Sequence, residues 1–221
     1  MISITIDGTE YKVNKGITIL AASFETQKLA QEPFQVRIPT LYYLKNVMDI
    51  DESGVCVVEA DGILVDASTT RVMEGMTICT KTETVINARK EALRKILKQH
   101  HKECIHCLRN TSCELQNLLH EYELTDEPTL AQADIQELDL SSKVLIRDNN
   151  KCIKCKRCIN VCAKMQAVSA IVCTGNGLNA EIQPASPKGL AAASCVNCGQ
   201  CVAVCPVGAL TEKTQINEVM S

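Results

Sequence analysis

The first third of the chain alternates apolar and polar side chains, the period of a half-buried β-strand. Residues 2–6 alternate isoleucine with polar side chains, and Asp7-Gly8 then predicts a tight hairpin turn into a returning strand. Asp61-Gly62 repeats the turn signal, and a short helix is expected at 18–30. Further apolar runs that predict strands lie at 55–58, 63–65 and 76–80. Residues 1–80 are therefore predicted to form a β-rich domain.

The middle of the chain changes to a helical period. Apolar residues recur at helical spacing from 85 to 97, and Thr80 and Glu83 stand at capping-box spacing before them. A second helix is expected directly after Cys113. The stretch 125–142 is acidic and interrupted by proline, which is typical of a linker. Residues 81–145 are therefore predicted to form a helical segment and a linker.

The last segment, residues 146–221, contains an internal repeat. The spacing Cys-x-x-Cys-x-x-Cys-x-x-x-Cys occurs at 152–162 and again at 195–205. Between the copies, apolar runs at 170–174 and 178–182 flank Gly175-Asn176-Gly177, which predicts a hairpin. These glycines and Ala180 also match a dinucleotide-binding fingerprint by letter, but that fingerprint needs a helix after it. The hairpin is the favoured interpretation.

Composition requires something other than a large apolar core to anchor this cysteine-rich chain. Of 221 residues, 14 are cysteine, while tryptophan is absent and only two phenylalanines and four tyrosines occur. The N-terminus lacks the basic start and apolar run of a signal peptide, and no apolar stretch reaches the roughly 18 residues of a membrane span. We therefore expect a cytoplasmic protein, in which clustered cysteines bind metal rather than form disulfides. The formal charge of −3 argues against nucleic acid as a partner.

The two cysteine runs have the spacing of a two-cluster ferredoxin, in which the fourth cysteine of each run ligates the other cluster. Zinc sites instead use two separated Cys-x-x-Cys pairs, so iron–sulfur clusters are favoured over zinc. One predicted [4Fe–4S] ligand set is Cys152, Cys155, Cys158 and Cys205. The other is Cys195, Cys198, Cys201 and Cys162.

Five basic side chains surround the first cysteine run, whereas the second run has neutral neighbours. They are Lys151, Lys154, Lys156, Arg157 and Lys164. One interpretation is a solvated basic rim. The other is a group of cations that offsets the negative charge of a cluster or docks an acidic partner.

A third possible metal site lies in the middle segment. Its candidate ligands are His100, Cys104, Cys107 and Cys113. From spacing alone, zinc and a histidine-ligated [4Fe–4S] cluster are about equally good interpretations. His101 competes with His100 as the nitrogen ligand.

The stretch from His100 to Gln116, with Cys198–Pro206 of the second run, resembles the electron-input subunits of respiratory complex I and [FeFe]-hydrogenases. The resemblance covers nearly the whole chain. It implies an α+β fold made of a β-grasp domain, a histidine-ligated cluster segment and a ferredoxin-like domain with two [4Fe–4S] clusters. The family places the ligating histidine four residues before the first cysteine, which selects His100 and gives three [4Fe–4S] clusters in total.

The chain departs from this family where a [2Fe–2S] cluster is normally held on four cysteines. The corresponding positions are Tyr42, Ser53, Cys56 and Ser68. One thiol cannot hold a two-iron centre that needs four ligands, so we expect no [2Fe–2S] cluster. Cys56, Cys79 and Cys173 are then expected to be small buried apolar residues.

The second departure is length, because members of the family continue far beyond the position of Ser221. The chain is similar to the small diaphorase subunit of NAD-linked [NiFe]-hydrogenases, or to a truncated hydrogenase-like subunit of an electron-bifurcating complex. The resemblance implies a flavoprotein partner that binds FMN and NAD(H), and a second redox subunit of hydrogenase, formate or ferredoxin/NADP transhydrogenase type. No catalytic residue, flavin or NAD site is expected on this chain. The alternative is a free-standing polyferredoxin.

Overall fold

The computed structural model describes residues 1–29, 37–129, 136–175 and 180–214, together with residues 216 and 220. The chain forms two compact units. The first comprises residues 1–43 and 49–95, and the second comprises residues 44–48 and 96–221. Within the described ranges, no helix combines the length and apolar character that a membrane span needs.

The first unit is built on a mixed five-stranded sheet. Its strands are β1 (Ile2–Ile6), β2 (Thr9–Val13), β3 (Val57–Ala60), β4 (Ile63–Asp66) and β5 (Thr77–Cys79). Their order is β2-β1-β5-β3-β4, with β1 and β5 parallel and the other pairs antiparallel. Both Asp-Gly pairs lie in hairpin turns and have positive φ at both residues, as the sequence predicts.

Helix α1 (Ile19–Leu29) packs its apolar residues into the core of this sheet. The backbone N–H of Ala21 donates to Thr18 Oγ1 at 3.2 Å, which caps the start of the helix. The predicted helix 18–30 is thus confirmed through Leu29, and Ala30 lies outside the described residues. The core itself draws on alternate residues of β1 and on α1, including Ile4, Ile6, Ile19 and Leu20.

Helix α2 (Glu83–Leu97) begins later than the capping-box pattern predicts. Its first turn is capped by Thr82, whose Oγ1 accepts from the Val85 N–H at 3.3 Å. Thr80 is not the cap, because its hydroxyl donates to Asp7 Oδ2 at 2.5 Å at the end of β5. Arg89 ties α2 to the sheet, since its buried guanidinium donates to the carbonyls of Val57 and Thr80.

The second unit joins short helices to two antiparallel strand pairs. Strand β6 (Leu145–Arg147) pairs with β9 (Leu210–Glu212), and β7 (Ile171–Thr174) pairs with β8 (Glu181–Pro184). The second pair confirms the predicted antiparallel pairing of two strands, with the second strand at Glu181–Pro184. Residues 176–179, which include part of the predicted turn and the start of the predicted strand 178–182, lie outside the described residues.

In the described part of this unit, three α-helices carry or follow cysteines. They are α3 (Glu114–Glu121), α4 (Arg157–Asn160) and α5 (Gln200–Val204). Helix α4 continues into a π-helical turn at Val161–Met165, which no sequence pattern predicts. Helix α3 confirms the helix predicted after Cys113, and it buries Leu115, Leu118 and Leu119. The mixture of helices and strands confirms the predicted α+β class.

Candidate metal centres

The first candidate centre is a hollow of about 450 Å³ that has one complete predicted ligand set in its lining. Cys155 belongs to the first cysteine run just before α4, and Cys158 lies in α4. Cys205 directly follows α5. Burial raises the pKa of Cys152 to about 11 and that of Cys155 to about 12. The rest of the wall is mainly apolar and includes Ile153 and Val207. The four candidate sulfur ligands in this lining are Cys152, Cys155, Cys158 and Cys205.

The second hollow, of about 370 Å³, is lined by the other predicted set, Cys162, Cys195, Cys198 and Cys201. Cys162 reaches it from the π-helical turn after α4, whereas the other three belong to the second run. Burial is the largest cause that raises the pKa of Cys201, to about 11. Ile171 lines both hollows, so the two candidate centres share a wall.

The two cysteine runs share their backbone conformation at two corresponding positions. Lys154 and Asn197 both have φ of 58°, and Lys156 and Gly199, two residues later, also have positive φ. As a result, the Lys154 N–H points at Cys152 Sγ and the Asn197 N–H points at Cys195 Sγ, each at 3.4 Å. Backbone N–H groups aimed at sulfur stabilise negative charge there and tune the potential of a bound cluster.

The third hollow, of about 270 Å³, lies beside the segment between α2 and α3. Its lining contains the predicted set His100, Cys104, Cys107 and Cys113. The imidazole is 7% exposed, and burial lowers the pKa of His100 to about 4. It is therefore neutral at physiological pH, the form that binds metal.

The hydrogen bonding of His100 leaves one ring nitrogen available. Its Nδ1 lies 3.0 Å from the Lys151 carbonyl oxygen, so Nδ1 carries the proton and Nε2 keeps a free lone pair. His101 also lines the hollow, and its backbone N–H donates to Asn150 O at 2.8 Å. The structure therefore brings all four predicted ligands together and leaves the competing His101 beside them.

The third hollow is connected to the first through two short backbone stretches. Lys151, whose carbonyl faces His100, directly precedes Cys152 of the first hollow. Gly208 lines the third hollow, while its neighbours Val207 and Ala209 line the first. A Cβ added at Gly208 would collide with Cys107 Sγ, so only glycine allows this close approach.

An ion pair between a buried arginine and a half-exposed glutamate also joins the segments that carry these hollows. Arg157 Nη1 and Nη2 donate to the two carboxylate oxygens of Glu114 at 2.6 and 2.9 Å. Arg157 directly precedes Cys158, and Glu114 directly follows Cys113. The side chain of Arg157 is only 6% exposed, so the solvated-rim interpretation is wrong for this residue. Sequence spacing could not identify the pair, because its partners lie 43 positions apart.

Each donor set surrounds an open volume. Across the described ranges, no group of three or more histidine, cysteine, aspartate or glutamate side chains closes around a single metal ion. Thiolates are soft ligands that suit iron–sulfur clusters, and a cluster needs more room than one ion. The residues of all three hollows therefore fit multi-iron groups.

The residues at the expected [2Fe–2S] position do not fit that cluster. Three of the four positions carry a phenol or a hydroxyl, and Cys56 is completely buried among apolar side chains. Cys79, in β5, is partly buried. Cys173 lies in β7 but is exposed, so the prediction that it would be buried is wrong.

Three known families match successive parts of the chain. Residues 1–83 match a “2Fe-2S iron-sulfur cluster binding domain”. Residues 89–128 match the “NADH-ubiquinone oxidoreductase-G iron-sulfur binding region”. Residues 142–211 match the “NADH-quinone oxidoreductase subunit 3, ferredoxin-like domain”.

Relatives with the same arrangement occur in larger proteins. The chain is 36% identical over its whole length to the NADP-reducing hydrogenase subunit HndD of Solidesulfovibrio fructosivorans, of which it spans 37%. It is 31% identical, over 95% of its length, to an NADH-quinone oxidoreductase subunit of Rhizobium meliloti, of which it spans 24%. The chain thus covers well under half of either relative.

A solved structure shares the fold. A chain in the crystal structure of the NAD⁺-reducing [NiFe]-hydrogenase in its H2-reduced state superimposes with a TM-score of 0.82 at 24% identity. The match covers 96% of this chain and 88% of that one. Together, the fold, the three candidate donor sets and the matched regions indicate an iron–sulfur protein. Its regions match iron–sulfur regions of the NADH-quinone oxidoreductase G type, and the chain is homologous along its whole length to part of the hydrogenase subunit HndD.

Proposed function

We propose that this chain carries single electrons through three [4Fe–4S] clusters, between an NAD(H)-linked flavoprotein subunit and another redox subunit of the same complex. The observation that carries the proposal is the match between three hollows and three predicted ligand sets. The hollows follow one another, because the first shares Ile171 with the second and the backbone at 151–152 and 207–209 with the third. Bound clusters would supply the one-electron chemistry.

We assign one ligand set to each hollow. The histidine-ligated set is His100, Cys104, Cys107 and Cys113. The crossed ferredoxin sets are Cys152, Cys155, Cys158 with Cys205, and Cys195, Cys198, Cys201 with Cys162. His100 is favoured over His101 because it is buried and its Nδ1 is already engaged by Lys151, which leaves Nε2 as the ligand atom.

The protein's own residues perform three tasks in this proposal. The thiols and His100 fix the clusters, and their high thiol pKa values mean that protons leave when metal binds. Apolar residues such as Ile153, Ile171 and Leu190 exclude water from the walls of the first two hollows. The ion pair Arg157–Glu114 holds the segment of Cys113 against that of Cys158.

The segments divide this work. Residues 1–80 form a β-grasp domain without a cluster, residues 81–145 bring the histidine-ligated site, and residues 146–221 bring the other two sites. The second redox partner is of hydrogenase, formate dehydrogenase or ferredoxin/NADP transhydrogenase type, and an electron-bifurcating complex belongs to this range. We propose a cytoplasmic complex and no membrane or nucleic-acid partner.

A free-standing polyferredoxin is the second candidate, and the relatives argue against it. HndD and its counterparts from Rhizobium and Geobacter are all named as subunits of redox enzymes. A chain that is part of a complex should elute from size exclusion of native extract far above its own 24.2 kDa. A free carrier should elute near that mass.

Reduction by NADH tests the proposal directly. The anaerobically purified chain should stay oxidised with NADH alone and show electron paramagnetic resonance signals of reduced [4Fe–4S] clusters once the FMN- and NADH-binding flavoprotein subunit of its native complex is added. Reduction by NADH without the flavoprotein would contradict the proposal, because it would require a nicotinamide site on this chain. Failure of the flavoprotein to reduce a chain that dithionite reduces would also contradict it.

A further inference from the structure

The first unit matches a [2Fe–2S] domain yet lacks the cysteines for that cluster. The side chain of Asp51 lies among the positions at which that family carries its cysteines. Asp51 is completely buried. A buried carboxylate is strongly destabilising unless hydrogen bonds compensate its charge. The hydrogen bonds of Asp51 therefore indicate its structural role.

The carboxylate of Asp51 collects four backbone N–H groups. Its Oδ2 accepts from the backbone N–H groups of Leu41, Tyr42 and Tyr43 at 2.7, 3.1 and 3.2 Å. Its Oδ1 accepts from Ser53 N–H at 2.9 Å. Convergent N–H groups of this kind form an anion-binding nest, and here the anion is part of the chain.

The remaining family positions are tied to the same centre. The backbone N–H of Asp51 donates to Ser68 Oγ at 3.0 Å, and that hydroxyl donates to Asp66 Oδ1 at 2.6 Å. Asp51 thus contacts three of the four positions at which the family carries cysteine: Tyr42, Ser53 and Ser68.

The fourth position, Cys56, is held as a neutral thiol. Its side chain is completely buried, and burial raises its pKa, with further increases from the carboxylates of Asp51 and Asp66. Neighbouring negative charges oppose the formation of a thiolate. Hydrogen bonds and apolar packing therefore fix the region around Asp51 and Cys56.

We propose that the Asp51 carboxylate replaces the [2Fe–2S] cluster as the anionic group that fixes the loop of Leu41–Tyr43 to Ser53 and Ser68, so that the first unit folds without iron. The inference rests on the proposed absence of that cluster and deepens it. It gives the first unit, residues 1–43 and 49–95, a structural requirement for aspartate at a position where the family uses metal.

The test uses the full-length protein and the substitution Asp51→Asn, which keeps the shape and removes the charge. Amide hydrogen exchange at Leu41, Tyr42, Tyr43 and Ser53 should accelerate roughly tenfold or more, because charge-assisted bonds are lost. Cys56 should also become open to iodoacetamide, as read by mass spectrometry. Asp49→Asn is the matched control, because Asp49 is exposed two residues away, and it should change neither readout.

Several outcomes would overturn the inference. One is exchange and Cys56 protection in Asp51→Asn equal to those in the control. Another is a [2Fe–2S] signal in the unmodified protein. If Asp51→Asn does not accumulate, Ser68→Ala is the second variant. It removes the acceptor of the Asp51 N–H together with the hydroxyl that donates to Asp66, so exchange at the Asp51 amide should accelerate. Unchanged exchange at that amide would refute the inference. Absence of [4Fe–4S] signals from the dithionite-reduced unmodified protein would instead refute the proposed function, and it would leave the Asp51 readouts unaffected.

Discussion

His100 is a candidate ligand whose surroundings suit metal binding. Its burial keeps the ring neutral, and the Lys151 carbonyl fixes which nitrogen carries the proton. Such an outer hydrogen bond orients a ligating imidazole and strengthens it as a donor. The same carbonyl belongs to the residue before Cys152, so the orientation of the histidine is linked to the neighbouring candidate centre.

We predict that His100→Ala removes one cluster. The anaerobically reconstituted variant should lose about four iron atoms per chain and keep the other two clusters. His101→Ala is the matched control and should retain full iron content, because its ring is not the one fixed by Lys151. An equal loss in both variants, or a loss only in His101→Ala, would show that the nitrogen ligand is misassigned.

At this scale the sequence identifies donors better than the residues that hold them. Cysteine spacing is a strong signal, so eleven candidate cysteine ligands could be selected without a structure, and the family resemblance added His100. The structure brings all twelve to three hollows. Asp51 carried only the weak signal of an acidic residue two positions before a serine, typical of a side chain that accepts a neighbouring N–H. Gly208 gave no signal at all, because its role depends on Cys107, a residue distant in sequence.

At the scale of elements, the ferredoxin repeat is preserved in backbone conformation more closely than in side chains. Lys154 and Asn197 have the same φ, although one is basic and the other neutral. The elements around the repeats differ, because α4 runs on into a π-helical turn while α5 ends at Cys205. That turn contains Cys162, which lines the hollow of the second run.

The ion pair between α3 and α4 gives a prediction at this scale. Glu114→Gln should lower the stability of the loaded protein by about 1–3 kcal/mol, because the buried Arg157 loses its charged partner while half-exposed Glu114 is partly screened. Thermal unfolding followed by cluster absorbance measures the change. Glu91→Gln, in an exposed pair with Arg94, should cost no more than about 0.5 kcal/mol. Equal losses of stability in the two variants would contradict a special role for the pair Arg157–Glu114.

Strands and turns could be predicted from the sequence where the signal for them is local. Alternating isoleucines and Asp-Gly turns gave β1, β2 and the β3–β4 hairpin, because strand period and turn conformation are local properties. The start of α2 was misplaced by tertiary competition, since Thr80 bonds Asp7 across 73 positions and leaves capping to Thr82. Contacts of that range are invisible to a local pattern.

At the scale of the whole molecule, the two compact units are stabilised in different ways. The first unit is poor in cysteine and the second is rich in it. The first unit has an apolar core around Ile4, Ile6 and Ile78, with the buried Asp51 network at its loops. The second unit contains all three candidate centres. Metal affinity is folding free energy where a site is not preformed in the unfolded chain, so iron should stabilise the second unit and not the first.

The iron content of the anaerobically purified chain, read together with its electron paramagnetic resonance spectrum, tests the central claim most directly. Three [4Fe–4S] clusters predict about twelve iron atoms per chain and only [4Fe–4S] signals after reduction with dithionite. A content of about fourteen with a [2Fe–2S] signal would contradict the account, because it would mean that the first unit binds a cluster despite Tyr42, Ser53 and Ser68. A content near eight would contradict the assignment of the His100 site.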